Sequence, residues 1–131
     1  MSMNPIEALA DAIMNFEGWK LGSRSWRNRN PGNLEPFKGN PTGAPVDKDG
    51  YRVFDSLSDG WSALLNDLKA KLIYHSHNLT NESTLLDLLN IYAPAGDSNN
   101  PTQYTNFICK WTSAILQREI KPTTTLKEYL G

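Results

Sequence analysis

Cysteine, histidine, surplus charge and long apolar runs are all scarce in this chain, and each shortage removes a class of function. One cysteine among 131 residues, Cys109, excludes an internal disulfide framework and any multi-cysteine zinc site. Two histidines, His75 and His77, lack a third ligand beside them, so no metal is expected. They also lie upstream of Cys109 with no nucleophile motif around it, which speaks against a Cys-His hydrolase. No phosphate-cradling glycine motif is present, and no cofactor is expected. An EF-hand reading of the Asp47–Gly50 neighbourhood fails because Pro45 and Ser56 occupy its first and twelfth ligand positions. Thirteen Lys and Arg against fourteen Asp and Glu leave a formal charge of −1, without the basic field that nucleic-acid binding requires. No apolar run approaches the roughly 18 residues of a membrane span, and residues 1–16 make a poor signal peptide, so synthesis in the cytoplasm without membrane insertion is expected.

What remains is enough for one domain over residues 1–131, expected to be a monomer, with no evident repeat. Residues 4–17 read as an amphipathic helix: Asn4 is the N-cap, Pro5 stands at the first helical position and Glu7 sits at capping-box spacing. Ile6, Leu9, Ala10, Ile13 and Phe16 recur at helical intervals, and Gly18 stops the run. Segment 18–60 holds seven of the nine glycines and four of the eight prolines, which rules out a long helix there. Within it the Asp47-Lys48-Asp49-Gly50 turn signal followed by Tyr51-Arg52-Val53-Phe54 predicts a small hairpin. From Ser58 the pattern is helical again, with one stripe of Trp61, Leu64, Leu65, Leu68 and Leu72. A shorter helix covers Leu85 to Tyr92 and ends before Pro94; another opens at Asn100-Pro101 and carries Tyr104, Phe107, Ile108, Trp111 and Ile115, with Cys109 off the stripe. Pro122 closes that helix, and residues 125–130 form a last turn. The expected class is α+β, mainly α: a helical domain with a small β-hairpin lobe inserted after the first helix.

Among candidate chemical groups Glu17 stands out. Eleven helical steps bring it to within about 20° of Ile6 on the apolar face, whereas Asp11 points away. Burial and the partial negative charge at a helix C-terminus both favour the neutral form of a carboxyl, the form that donates a proton. The competing reading is a glutamate that reaches solvent or pairs with Arg24, Arg27 or Arg29. The run from Arg27 to Leu34, with its asparagines and Pro-Gly pair, reads as a rigid loop dense in hydrogen-bonding groups, suited to sugar hydroxyl and acetamido groups or simply to an ordinary turn. Lys20, Arg24, Arg27 and Arg29 form a local cationic stretch with no acid among them.

Glu17-Gly18 after an amphipathic helix and the run Asn28-Arg29-Asn30-Pro31-Gly32-Asn33-Leu34 resemble small phage-type lysozyme-like proteins, relatives of the lytic transglycosylases and goose-type lysozymes. The resemblance continues through Tyr51, Val53-Phe54, Gly60-Trp61 with Ala63-Leu64, Tyr92-Ala93-Pro94, and Asn100-Pro101-Thr102 with Tyr104. It touches most of residues 6–108, and Asn-Pro-Gly-Asn-Leu is its most specific piece. It departs where Ala95-Gly96-Asp97-Ser98-Asn99 replaces a second proline and an acidic stretch, and where Gly18 replaces the serine of the larger transglycosylases. The resemblance implies a lysozyme-like fold and a peptidoglycan glycan strand as partner. It implies cleavage of the β-1,4 bond between N-acetylmuramic acid and N-acetylglucosamine with Glu17 as general acid, and substrate binding by Asn30, Asn33, Tyr92 and Tyr104. A hydrolase of this kind needs a second carboxylate, for which Asp47, Asp49, Asp55 and Glu35 are the candidates; without one, the transglycosylase route is implied. The alternative is a glycan-binding or virion structural protein that keeps the fold without the activity.

Overall fold

A computed structural model describes residues 3–93 and 100–131. The Pro94 stop and the 95–99 departure lie outside the described residues. The chain is mainly helical: α1 (Pro5–Phe16), α2 (Arg24–Arg27), α3 (Leu57–Leu72), α4 (Leu85–Tyr92), α5 (Pro101–Leu116) and α6 (Leu126–Leu130), with a 3-10 turn at Ser76–Asn78.

Helix α1 starts as its sequence dictates. The Asn4 side chain accepts from the Glu7 amide at 2.8 Å, and Glu7 returns the bond to the Asn4 amide at 3.0 Å. Ile6, Leu9, Ala10 and Ile13 are buried, and so are Ala8 and Ala12, because α3, α5 and α6 all pack on this helix. Ile13, Leu64, Leu68 and Ile108 share one core with Leu65 against it, as the three apolar stripes predict. Asp11 does point away from that stripe, and it accepts the indole N–H of Trp111 at 2.8 Å.

Three expectations are revised. Cys109 is buried rather than off the packed face, in the same core cluster as Tyr129 and the α1 stripe. Helix α5 ends at Leu116, before Pro122: Gln117 turns left-handed (φ 54°), and Ser113 Oγ both accepts from the Ile120 amide (3.0 Å) and bonds the Ile120 carbonyl (3.3 Å), drawing the chain back. The hairpin lobe shrinks to a single antiparallel bridge between Val46 and Arg52. Tyr51–Phe54 is held on one edge by Val53 N–H to the Pro45 carbonyl (3.0 Å) and on the other by Arg52 N–H to Leu34 and Phe54 N–H to Asn28 (2.9 and 2.8 Å). Pro45 brings no N–H of its own, so no ladder propagates.

The same irregular segment contains α2, one turn capped by Ser23, which the hydrophobic pattern does not announce. At the far end the starts of α4 and α6 are tied by a Thr84–Thr125 bridge. Tyr129 then donates its hydroxyl to the Pro5 carbonyl at 2.6 Å, closing α6 onto α1.

Candidate functional site

Glu17 caps the C-terminus of α1, its amide still bonded to the Ile13 carbonyl at 2.9 Å. Its carboxyl is half-buried and held at both oxygens: Asn33 Nδ2 donates to Oε1 at 2.9 Å and the Tyr104 hydroxyl to Oε2 at 2.7 Å. Phe16 stacks on the Tyr104 ring with centroids 3.9 Å apart, so the residue before Glu17 fixes the donor that Glu17 uses. The sequence predicts Glu17, Asn33 and Tyr104 in one site, and the fold brings them together.

Asn33 reaches Glu17 through a loop built by Asn30. Asn30 is fully buried; its Oδ1 accepts from the Leu34 amide (2.8 Å), and its Nδ2 donates to the carbonyls of Leu34 (2.9 Å) and Arg52 (3.0 Å). Those bonds hold the loop beside Glu17 and leave Asn30 off the cleft lining. Asn33 follows in the left-handed region (φ 48°), which asparagine tolerates better than most side chains. Two glycines allow the loop to lie this close. A Cβ on Gly32 would stand 2.5 Å from the Tyr92 hydroxyl, and one on Gly60 of α3 would stand 1.9 Å from the Arg29 carbonyl oxygen.

Tyr92 lines the cleft, but its hydroxyl is committed to the Gly32 carbonyl at 2.7 Å. Tyr104 is fully buried, its hydroxyl meets Glu17, and it does not line the cleft. Burial, with smaller contributions from Asp67 and Glu17, pushes the Tyr92 phenol well above its ordinary value. Burial also raises Tyr104, helped by Tyr92, Glu17 and the bond to Glu17. Both hydroxyls therefore keep their protons near neutral pH. Asn33 Oδ1 is buried without a hydrogen-bond partner among the described residues.

From Glu17 a cleft of about 800 Å³ runs between two walls. Asn33, Leu34, Glu35 and Phe37 stand on one; Ala63, Asn66, Asp67 and Ala70 of α3 stand on the other. Lys71, only 6% exposed, joins the second wall and pairs with Asp67 at 2.7 Å, its ammonium 5.6 Å from the centre of the Tyr92 ring. Sequence reasoning missed this pair. The available signal was an acid and a base four positions apart on the same α3 face as two alanines.

Of the four carboxylates considered as partners for Glu17, Glu35 lines the cleft, and Asp47, Asp49 and Asp55 do not. Asp49 bonds Arg24 at 3.0 Å. Asp47 accepts from Asn28 at 2.8 Å and from the Asp49 and Tyr51 amides at 2.9 and 3.0 Å. The Asn28 bond, then those amides and Arg24, outweigh partial burial and hold the Asp47 carboxyl below its ordinary range. Arg24 also lies 4.6 Å over the Tyr51 ring, and none of Lys20, Arg24, Arg27 and Arg29 lines the cleft. His75 bonds Asn81 at 3.0 Å, while His77 stands on the cleft rim. No protein-family model, curated protein or solved structure matches this chain, and the cleft's own geometry is what a functional reading stands on.

Proposed function

We propose that this protein is a peptidoglycan-cleaving glycosidase of lysozyme-like fold, acting on the bond between N-acetylmuramic acid and N-acetylglucosamine with Glu17 as general acid. The observation that carries the reading is a helix-terminal carboxyl held by two side-chain donors and lining a cleft of about 800 Å³ with both polar and apolar walls. A glycan strand suits such a cleft, because each sugar offers hydroxyl and acetamido groups to the polar lining and C–H faces to the apolar lining. Glu17 gives its proton to the glycosidic oxygen as the C1–O bond breaks through an oxocarbenium-like state. For Glu17 to carry that proton, one of its oxygens must stop accepting. Rotation of the Tyr104 hydroxyl frees Oε2. Turning over the Asn33 amide instead offers Oδ1 as an acceptor beside Oε1.

Two routes complete the reaction. In one, the muramyl 6-hydroxyl attacks C1 and returns its proton to Glu17, closing a 1,6-anhydro ring. In the other, water attacks with help from a second carboxylate, for which Glu35 is the cleft-lining candidate. Neither calls on a metal or cofactor. The protein would be made in the cytoplasm and carried to the wall by a holin, a virion or a secretion machine.

The test is mass spectrometry of products from purified peptidoglycan. Anhydromuramyl ends indicate the intramolecular route and reducing ends the hydrolytic one. Glu17→Gln keeps shape and hydrogen bonding but delivers no proton, and it should lower release by at least about 10²-fold. A Gln variant clearing walls at a tenth of the native rate would remove Glu17 from the mechanism. Wild-type protein that sediments with walls and releases nothing would identify a binding protein.

A further inference from the structure

The wall opposite α3 is built from the same turn used twice. Asn30-Pro31-Gly32-Asn33-Leu34 and Asn40-Pro41-Thr42-Gly43-Ala44 are ten positions apart. In the first, Asn30 bonds the Leu34 amide and carbonyl through its side chain, the Asn33 amide donates to the Asn30 carbonyl at 3.0 Å, and Asn33 is left-handed. In the second, Asn40 bonds the Ala44 amide and carbonyl (both 3.0 Å), the Gly43 amide donates to the Asn40 carbonyl at 3.0 Å, and Gly43 is left-handed (φ 66°). The first turn delivers Asn33 to Glu17. The second roots a different side chain: the Asn40 amide donates to the Phe37 carbonyl at 2.7 Å, and the Phe37 ring stands 82% exposed on the cleft wall.

The Phe37 ring is a lone large apolar side chain standing exposed on this wall, with Glu35, Lys38 and Thr42 as well as Pro36 and Ala44 in the lining around it, a smaller patch than a protein partner covers. It fits a ligand that is flat and apolar on its faces and polar around its rim. A pyranose is such a ligand: its axial C–H bonds form an apolar face, and its hydroxyl and acetamido groups lie at the edge. We propose that Phe37 is a stacking platform for one pyranose ring of the glycan strand, bound along the wall from the bond that Glu17 attacks. The proposal rests on the glycan-cleaving reading and adds the binding residue that would give the cleft its preference for long strands. Phe37 takes no part in bond breaking.

The experiment separates binding from turnover by working in the Glu17→Gln background. Sedimentation with purified peptidoglycan and calorimetry with a chitin hexasaccharide would compare Glu17→Gln alone with Glu17→Gln carrying Phe37→Ala or Phe37→Trp. The Ala change should weaken both affinities by about three- to tenfold, and Trp should restore them. Melting temperatures should stay together because the side chain is exposed. In the active protein the loss should fall on KM more than on kcat. Unchanged affinity on removal of the ring would overturn the platform while leaving the cleavage reading intact. Failure of the Glu17→Gln protein to bind either ligand would overturn both. Ring-dependent binding by a wild-type protein that releases no products would uphold the platform and overturn cleavage alone.

Discussion

Tyr104 and Asn33 each give one donor to one oxygen of Glu17, and each is fixed from behind: Tyr104 by the Phe16 ring, Asn33 by the loop that Asn30 shapes. On the proposed reading both position Glu17. Tyr104→Phe keeps the stacked ring and removes the hydroxyl. That hydroxyl helps only as the Glu17 proton leaves and negative charge builds on Oε2; a hydrogen bond to a charged group contributes about 1.5–3 kcal/mol, so kcat should fall by about tenfold or more while KM holds. A loss of thermal stability without a change in kcat would show that the hydroxyl serves packing only. Glu17 was legible in the sequence because helical periodicity alone places it on the apolar face. Asp67 and Lys71 were not, because an acid–base pair four apart on a helix usually marks a solvated surface, and only the approach of Tyr92 makes this one a cleft wall.

At the scale of elements, the loop over residues 28–34 is the piece on which the site depends, and α3 reaches it through a glycine. Adding a methyl group at Gly60 drives it into the Arg29 carbonyl, a backbone group that cannot swing aside as a flexible side chain would. Gly60→Ala should therefore lower stability by about 1–3 kcal/mol or more, read by chemical denaturation, and activity should fall with it as Asn33 is displaced. The opposite pattern, activity intact and stability lost, would mean the loop is not carried by α3. The starts of α1 and α5 could be read from sequence because the Asn-Pro start is written within four residues, whereas the Thr84 and Thr125 capping boxes of α4 and α6 were not singled out. The fate of Tyr51–Phe54 could not. Its partners are Pro45 on one edge and Asn28 and Leu34 on the other, a choice set by tertiary contacts rather than by its strand-like composition. The twin asparagine-proline turns escaped notice because a pentad is far shorter than the periods that announce a repeat fold.

For the molecule as a whole, burial of ionisable groups sets the alkaline limit. Burial pushes the Cys109 thiol from its ordinary 9.0 up to about 11. It likewise raises the phenols of Tyr92, Tyr104 and Tyr129 above their ordinary 10.0. In each case the unfolded chain releases its proton at a lower pH than the folded one. Stability from these groups is thus complete below pH 9, and it is lost as pH rises through the folded values. Thermal melts should be level up to that point and then fall steeply. Cys109→Ala should flatten the first part of the decline and leave the phenol-driven part in place. A melting temperature that holds level through pH 11 would contradict the burial assigned to all four groups.

The bond between Tyr104 and Glu17 spans 87 positions, and the one between Tyr129 and Pro5 spans 124. A ribosome makes the chain from its N-terminus, so the helix bearing Glu17 is synthesised long before either tyrosine that secures it. Until α5 emerges, α1 has lost its largest packing partner and Glu17 has one of its two donors missing. Folding that relies on contacts this distant in sequence is slow to start. A nascent chain that stops short of Tyr104 carries the Glu17 carboxyl without its second donor.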